Sequence, residues 1–465
     1  MKACSERSAT RFRIRPATLI AGLLFCAGLV AAGPIQPAAA DFDDATEFKL
    51  PNGLTVVVAS FPAELEVTQV VVFKVGSADT PPGKSVLARL VQGLLYKNGI
   101  EGGRATKATD SNYSSSNHDT TYFARRVPPA QLPGIMLEGA SLMSNDLITD
   151  RTVDEERESQ RVAHIWPNKR DPAAPFNALV RQMLYLNHPY RLPWDGLAED
   201  VAGLTTTDAV AFHRAYYAPN NALLVLAGAI TAQQARDLAW KYFGTIGARP
   251  VPPRHWLQEP PSPARRSFTY LNPHPNSLLW QRQYRAPSYR MGPPETVYAL
   301  HVLKEFLSNP LTGPFAHKPG SPAIGFASLY SPLGSEYSTF ILLWGGYSSP
   351  IAMVAETEQK IDTVIESVRR DGITDAELAN AKMMIERGGL LETNDFDHTV
   401  SVALRLGAGE TLSDLAAWRT RLAAVSKEDV KAAARTILDP NNSVTAMGYA
   451  PPDADNPVLP LGGLK

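Results

Sequence analysis

Residues 205–228 read TTTDAVAFHRAYYAPNNALLVLAG, and residues 426–448 read SKEDVKAAARTILDPNNSVTAMG. Each stretch opens on a hydroxyl residue with an aspartate three places on: Thr205-x-x-Asp208 and Ser426-x-x-Asp429. That spacing lets two side chains satisfy the free amides at a helix start. After ten intervening residues each has Pro-Asn-Asn, at 219–221 and 440–442, which breaks a helix and favours a turn. An apolar run ending at Gly228 or Gly448 follows, with the composition of a strand. Both the aspartates and the Pro-Asn-Asn turns stand 221 residues apart. Four elements in register point to one helix–turn–strand module present twice, in a duplicated domain.

The surrounding sequence fits two such halves. Leu50-Pro51-Asn52-Gly53-Leu54 carries the Asn-Gly hairpin signal, with strands expected from Thr55 to Val58 and from Thr68 to Val75. Apolar residues at 86, 87, 90, 91, 94 and 95 predict a helix over 84–97. Tyr122 and Phe123 are expected to end a strand, and 128–144 and 152–165 to be helical. In the second half strands are expected at 278–285 and 338–345, with helices near 294–308 and 350–371. Gly372 is a stop for the last of these, and Thr374-x-x-Glu377 starts the next. The order does not alternate regularly, which favours α+β halves with mainly antiparallel sheets. Pro250, Pro252, Pro253, Pro260, Pro261 and Pro263 mark a linker between them.

The chain has 465 residues, 44% hydrophobic and 20% charged, with a formal charge of −1. These values exclude a disordered or collagenous chain and give no basic footprint for nucleic acid. The first forty residues differ. Lys2, Arg7, Arg11, Arg13 and Arg15 precede a charge-free run from Ala17 to Ala32, and Ala38-Ala39-Ala40 precedes Asp41. This is the pattern of a secretory signal peptide. Sixteen apolar residues are few for a membrane span, so membrane attachment is expected only through an uncleaved leader. Both cysteines, Cys4 and Cys26, lie in this segment. The remaining 425 residues carry 40 basic and 45 acidic groups, with no thiol for a nucleophile or metal. The expected division is a signal peptide at 1–40, halves at 41–248 and 266–455, a linker at 249–265 and a tail at 456–465.

At this point the residues resemble a known family. Leu50-Pro51-Asn52-Gly53-Leu54, the 84–97 helix, Asn187-His188-Pro189-Tyr190, Tyr216-Tyr217-Ala218-Pro219-Asn220-Asn221 and Lys241-Tyr242-Phe243-Gly244 resemble, in order, the M16 metallopeptidases. These include insulinase-like and mitochondrial processing peptidase-like proteins. The resemblance implies two similar α+β halves forming one shell of a clamshell chamber. Active members carry H-x-x-E-H on the first helix. The two histidines share a helical face and bind zinc, and the glutamate takes a proton from metal-bound water. That motif falls here on Arg89-Leu90-Val91-Gln92-Gly93. A cation, an amide and a glycine replace the three functional groups. The family's third ligand lies seven residues after the glutamate of a Glu-Arg pair. Glu156-Arg157 supplies the pair, and the ligand position is Ala163. The site therefore reads as a lost zinc centre, with no catalytic or metal-binding residue and no cofactor in this chain.

No replacement site is evident. His301-x-x-x-Glu305 has the spacing of two ligands but equally that of a surface helix pair. The run Asp154 to Arg161 reads as a solvated helix face. The Arg and Tyr that support substrate from the second half of active members are also incomplete, since no arginine lies between Arg290 and Arg369 while Tyr330 remains. Thr312 to Gly325 resembles, faintly, a glycine-rich loop at the chamber mouth; a plain surface loop fits it as well. The family's substrate-pairing edge strand keeps Asn112, Thr120 and Tyr122 in spacing, while Tyr113 and His118 depart from it. Peptide pairing and structural retention of the sheet both account for those three. Arg89 is expected near Glu156 or Glu155, neutralising acid left from the old site.

The resemblance thus implies an exported, inactive subunit, periplasmic or secreted. It would pair with a zinc-bearing M16 chain, zinc being carried by the partner, to form a peptide-processing chamber. A stand-alone peptide-binding or chaperone-like module is the alternative, and an active metallopeptidase is a third.

Overall fold

The computed structural model describes residues 42–97, 112–144, 146–165, 173–255, 258–262, 264–271, 277–309, 312–315, 325–334, 336–347, 353–390 and 395–449. The leader, both cysteines, the C-terminal tail and most of the 312–325 segment lie outside these residues. The first half contains β1 (Thr46–Lys49), β2 (Thr55–Ser60), β3 (Val67–Phe73), α1 (Leu87–Leu95), β4 (Asn112–Ser116) and β5 (Thr121–Val127). It continues through α2 (Leu132–Ser141), α3 (Asp150–Ile165), α4 (Ala174–Leu184), α5 (Thr206–Tyr216), β6 (Ala222–Gly228) and α6 (Ala232–Phe243). The second contains β7 (Arg266–Leu271), β8 (Ser277–Pro287), α7 (Pro294–Ser308), β9 (Gly325–Tyr330) and β10 (Tyr337–Tyr347). It ends with α8 (Met353–Asp371), α9 (Asp375–Leu390), α10 (Asp395–Ala408), α11 (Leu412–Ala416), α12 (Trp418–Ala424), α13 (Lys427–Ile437) and β11 (Ser443–Tyr449).

The repeated module forms as its sequence dictates. The Thr205 and Ser426 hydroxyls accept from the Asp208 and Asp429 amides at 3.2 and 3.1 Å. In return the aspartate carboxylates accept from the Thr205 and Ser426 amides at 3.1 and 2.8 Å. Each Pro-Asn-Asn makes one tight turn and launches β6 or β11. The sheets then share a topology. Their strand orders are β1-β2-β6-β3-β5-β4 and β7-β11-β8-β10-β9. In both, the last strand inserts beside the first long one in parallel and pairs antiparallel on its other side. The outer strands, β4 and β9, correspond. The α+β reading with mainly antiparallel sheets holds, with one parallel pair in each sheet. Tyr122 and Phe123 begin β5 rather than end a strand, because the hairpin turn lies at Asn117–Thr120.

Each half covers the other's sheet. Phe396, Val400, Ala403 and Leu406 of α10 pack on Val57, Val70, Val72, Leu223 and Val225 of the first sheet. Phe176, Val180 and Leu184 of α4 pack with Val444 and Ala446 of β11. Helices α4 and α10 begin at Ala174 and Asp395, again 221 residues apart. Burying one such side chain is worth about 1.5–3 kcal/mol, so either exchanged helix supplies a large share of a domain's net stability. The Pro-rich connection is irregular but pinned. The Arg254 guanidinium donates to both carboxylate oxygens of Asp79 at 2.7 and 2.6 Å and to the Asp119 carbonyl at 2.7 Å. Glu259 accepts from the Leu186 and Asn187 amides at 2.9 and 2.7 Å. Among the described residues no helix is long and apolar enough to cross a membrane.

Candidate functional site on the facing helices

Helix α1 buries Leu87, Ala88, Leu90, Val91, Leu94 and Leu95 and turns Arg89 and Gln92 toward its other neighbours. Their spacing of three places them on one face. Helix α3 packs against α1. On α3, Glu156, Gln160 and Ala163 also recur at a spacing of three or four, so they share the facing stripe. The four degenerate positions Arg89, Gln92, Gly93 and Ala163 therefore lie on the two helices that face one another.

The polar groups there are wired to each other. Arg89 Nε donates to Gln160 Oε1 at 2.9 Å. Gln160 Nε2 donates to Glu156 Oε1 at 2.6 Å. The other Glu156 oxygen forms an ion pair with Lys97 at 2.6 Å. Glu156 is only 3% exposed and stands where a side chain at position 93 would go: a Cβ on Gly93 would lie 2.6 Å from its carboxyl carbon. Gln92 Nε2 donates to Ser114 Oγ of β4 at 2.5 Å, and the Arg89 guanidinium lies 5.1 Å from the centre of the Trp194 ring. Ala163 is half-buried and offers no donor atom.

This donor set does not fit zinc. A zinc site needs three or four neutral-imidazole, thiolate or carboxylate ligands. Glu156 alone is of that type, and Lys97 and Gln160 already take both its oxygens. Among the described residues no three His, Cys, Asp or Glu side chains are grouped to hold a metal. The expectation for Arg89 is corrected in part. Among the described residues its guanidinium is linked to Glu156 through Gln160, and Lys97 is the cation that pairs with Glu156. Glu155 pairs with Arg151 on the surface. The run from Asp154 to Arg161 is solvated at its Arg157–Asp154 and Arg161–Glu158 pairs, but Glu156 within it is buried. Lys97, Gln160 and Trp194 carried no sequence signal, since each belongs to the site only through the helix crossing and the loop that folds over it.

The three substrate-side positions separate. Asn112 heads β4 opposite Arg125, and its side chain lies outside the described groups. Thr120 closes the β4–β5 hairpin: its amide and hydroxyl both bond to Asn117, at 2.8 and 2.9 Å. Tyr122 sits on β5, one strand in from the edge, opposite Ser115. Its ring meets Tyr113 at 5.9 Å on the face covered by α10, opposite the α1 side. The remaining candidates are half-buried or buried. His301 pairs with the Tyr289 hydroxyl at 2.9 Å and Glu305 with Lys304 at 3.3 Å. The buried Tyr330 donates to the Pro287 carbonyl at 2.8 Å.

The Asn187-His188-Pro189-Tyr190 segment closes a second polar cluster, between the halves. The Tyr190 hydroxyl donates to Asp119, which shares Arg254 with Asp79. His188 faces Glu336 of the second half at 3.4 Å. Burial holds His188 down at about 4 and His118, which donates to the Leu192 carbonyl, at about 3, so both rings are neutral. Burial raises the carboxyl of Asp79 above its ordinary value against the pull of Arg254.

Residues 203–385 match the family described as the peptidase M16 inactive domain. The zinc protease PqqE of Helicobacter pylori is 25% identical over 349 residues, 72% of this chain and 77% of that protein. A protease from Helicobacter pylori of known crystal structure superposes with a TM-score of 0.76 at 20% identity, covering 87% of this chain and 99% of that one. The crystallised first half of the periplasmic protease PqqL from Escherichia coli superposes with a TM-score of 0.72 at 14% identity, covering 91% and 95%. Against the whole of PqqL the chain spans 49% of that protein's length. With its duplicated halves, its domain match over residues 203–385 and its relatives along most of its length, the chain is similar to the peptidases of the M16 family.

Proposed function

We propose that this chain is an exported, catalytically silent M16 subunit that pairs with a zinc-bearing M16 chain and helps to hold extended peptide in the shared chamber. The carrying observation is the rebuilt metal position. Gln92 is bonded to Ser114 and has no basic oxygen to accept a proton from water, and Glu156 is tied to Gln160 and Lys97. No metal ligand set and no general base remain there, while the surrounding fold is kept. The size of the chain, about half of PqqL, supports a second unit of the same kind as partner. The leader-like first forty residues support the periplasm as the site of action.

The test is a pull-down of tagged mature chain from its native envelope fraction, with zinc and peptidase activity measured on the eluate. A co-purifying zinc-bearing M16 chain with activity is the expected result. A lone chain without metal or activity would move the function to the stand-alone peptide-binding module. A lone chain carrying zinc and activity would overturn the proposal.

A further inference from the structure

Arg89 has an unusual electrostatic setting. A half-buried guanidinium beside a buried carboxylate would be expected to pair with it. Here Glu156 is engaged by Gln160 and Lys97, and among the described residues Arg89 contacts neutral groups, the Gln160 amide oxygen and the Trp194 ring. Among the described residues Arg89 enters no ion pair. Its Nε is used, and its two Nη groups have no acceptor among them. Arginine presents these donors as a planar fork that matches a carboxylate with two parallel hydrogen bonds. The contacts of Gln160 and Trp194 fix the plane of that fork, so little side-chain entropy is lost on binding.

The fork stands beside a sheet edge. One helical turn along α1, Gln92 is bonded to Ser114 of β4. Among the described residues strand β4 is outermost in its sheet and pairs only with β5. The backbone groups on its other side are those that an added extended strand would use. Trp194 is 39% exposed and adds an apolar shelf next to the cation. Backbone pairing along β4 gives affinity without selecting a sequence. A fixed cation one turn away supplies selection by charge.

We infer that Arg89 reads a carboxylate on an extended peptide laid along β4, with Trp194 beneath the residue that bears it. The inference rests on the peptide-holding reading above and specifies its ligand. Two sources share this chemistry, a C-terminal carboxylate and an Asp or Glu side chain.

The test uses the full mature chain and three fluorescein-labelled nine-residue peptides of one Thr/Val/Ser-rich sequence. One has a free C-terminal carboxylate, one is C-terminally amidated, and one is amidated with a glutamate at its last position. Binding is read by fluorescence anisotropy with the wild type and with Arg89→Met and Arg89→Lys. The expected result is at least tenfold tighter binding of one or both carboxylate peptides than of the plain amide. Arg89→Met should remove that difference and leave the amide's affinity unchanged; Arg89→Lys, which keeps charge but loses the fork, should retain only part of it. Preference for the free acid alone assigns C-terminal capture, and equal preference for the glutamate peptide assigns side-chain recognition. Thermal unfolding of each variant shows that a lost preference is not lost fold. Equal binding of all three peptides by the wild type, or an equal drop for all three in Arg89→Met, would overturn the assignment to Arg89 while leaving peptide holding intact. Binding of none at millimolar concentration would overturn both.

Discussion

The carboxylate of Glu156 fills the place of the missing side chain at Gly93. A Cβ added there would lie 2.6 Å from the Glu156 carboxyl carbon, well inside any real contact. The family resemblance puts a zinc-binding histidine at position 93. On that resemblance the glycine and the buried acid belong together: Glu156 occupies the space a side chain at 93 would take and is neutralised by Lys97.

Gly93→Ala should therefore destabilise the chain, although alanine is the better helix former. Overpacking of this kind costs about 1–3 kcal/mol, against about 1 kcal/mol gained in helix propensity. The urea midpoint should fall, and a second change, Glu156→Ala, should restore most of the loss by emptying the space. A midpoint that rises in Gly93→Ala alone would show that Glu156 does not occupy it.

Lys97 and Glu156 form an ion pair with one buried and one half-exposed partner. Solvent screening limits the pair to about 1 kcal/mol. Removing only the cation leaves a buried charge, which costs more than the pair is worth. Lys97→Met should lower stability by about 1–2 kcal/mol, and Lys97→Met with Glu156→Gln should recover it, giving a coupling energy in a double-mutant cycle. Additive effects would mean that the two charges do not interact.

The buried histidines set a pH dependence. Desolvation holds His118 at about 3 and both His188 and His213 at about 4 in the fold, whereas an unfolded histidine titrates near 6.5. Below 6.5 the unfolded chain binds protons that the folded chain does not. Stability should be complete above that pH and should fall between about 6.5 and 4, by at most about 1.4 kcal/mol per pH unit for each ring. The raised carboxyls of Asp79 and Glu336 oppose this, since the folded form takes up their protons first on acidification. His188→Gln should flatten the slope of urea stability from pH 4.5 to 7. An unchanged slope would remove His188 as a source.

Helix α10 makes the halves interdependent. Phe396 is 1% exposed among first-sheet side chains, and Phe396→Ala should cost about 3–5 kcal/mol. Residues 41–248 expressed alone lack that cover and should be insoluble or bind a hydrophobic dye, and co-expression with residues 249–465 should rescue them. A soluble, cooperatively unfolding first half would contradict the exchange of helices.

Much of this fold was legible because local chemistry agreed with it. The Thr205/Asp208 and Ser426/Asp429 boxes, the Pro-Asn-Asn turns and the Asn52-Gly53 hairpin each act within a few residues, so their spacing in sequence is their spacing in space. The exchange of α4 and α10 was not legible, because an apolar helix face does not state which sheet it covers. The departures from the family's motif, at the ligand positions Arg89, Gly93 and Ala163 and at the general-base position Gln92, could be read by laying the sequence against that motif. What surrounds those positions could not. Lys97, Gln160 and Trp194 come from a helix end, a facing helix and a loop, and only the packing of α1 on α3 unites them. Thr120 and Tyr122 kept a family spacing, yet one closes a hairpin and the other packs under α10.

The polar network on the α1–α3 face leaves no ligand set for zinc. Residues 41–465, purified, incubated with excess zinc and passed over a chelating resin, should carry well under one tenth of an equivalent of metal per chain by mass spectrometry, with no change in Glu156→Gln. One tightly held zinc per chain, lost in Glu156→Gln, would contradict this reading.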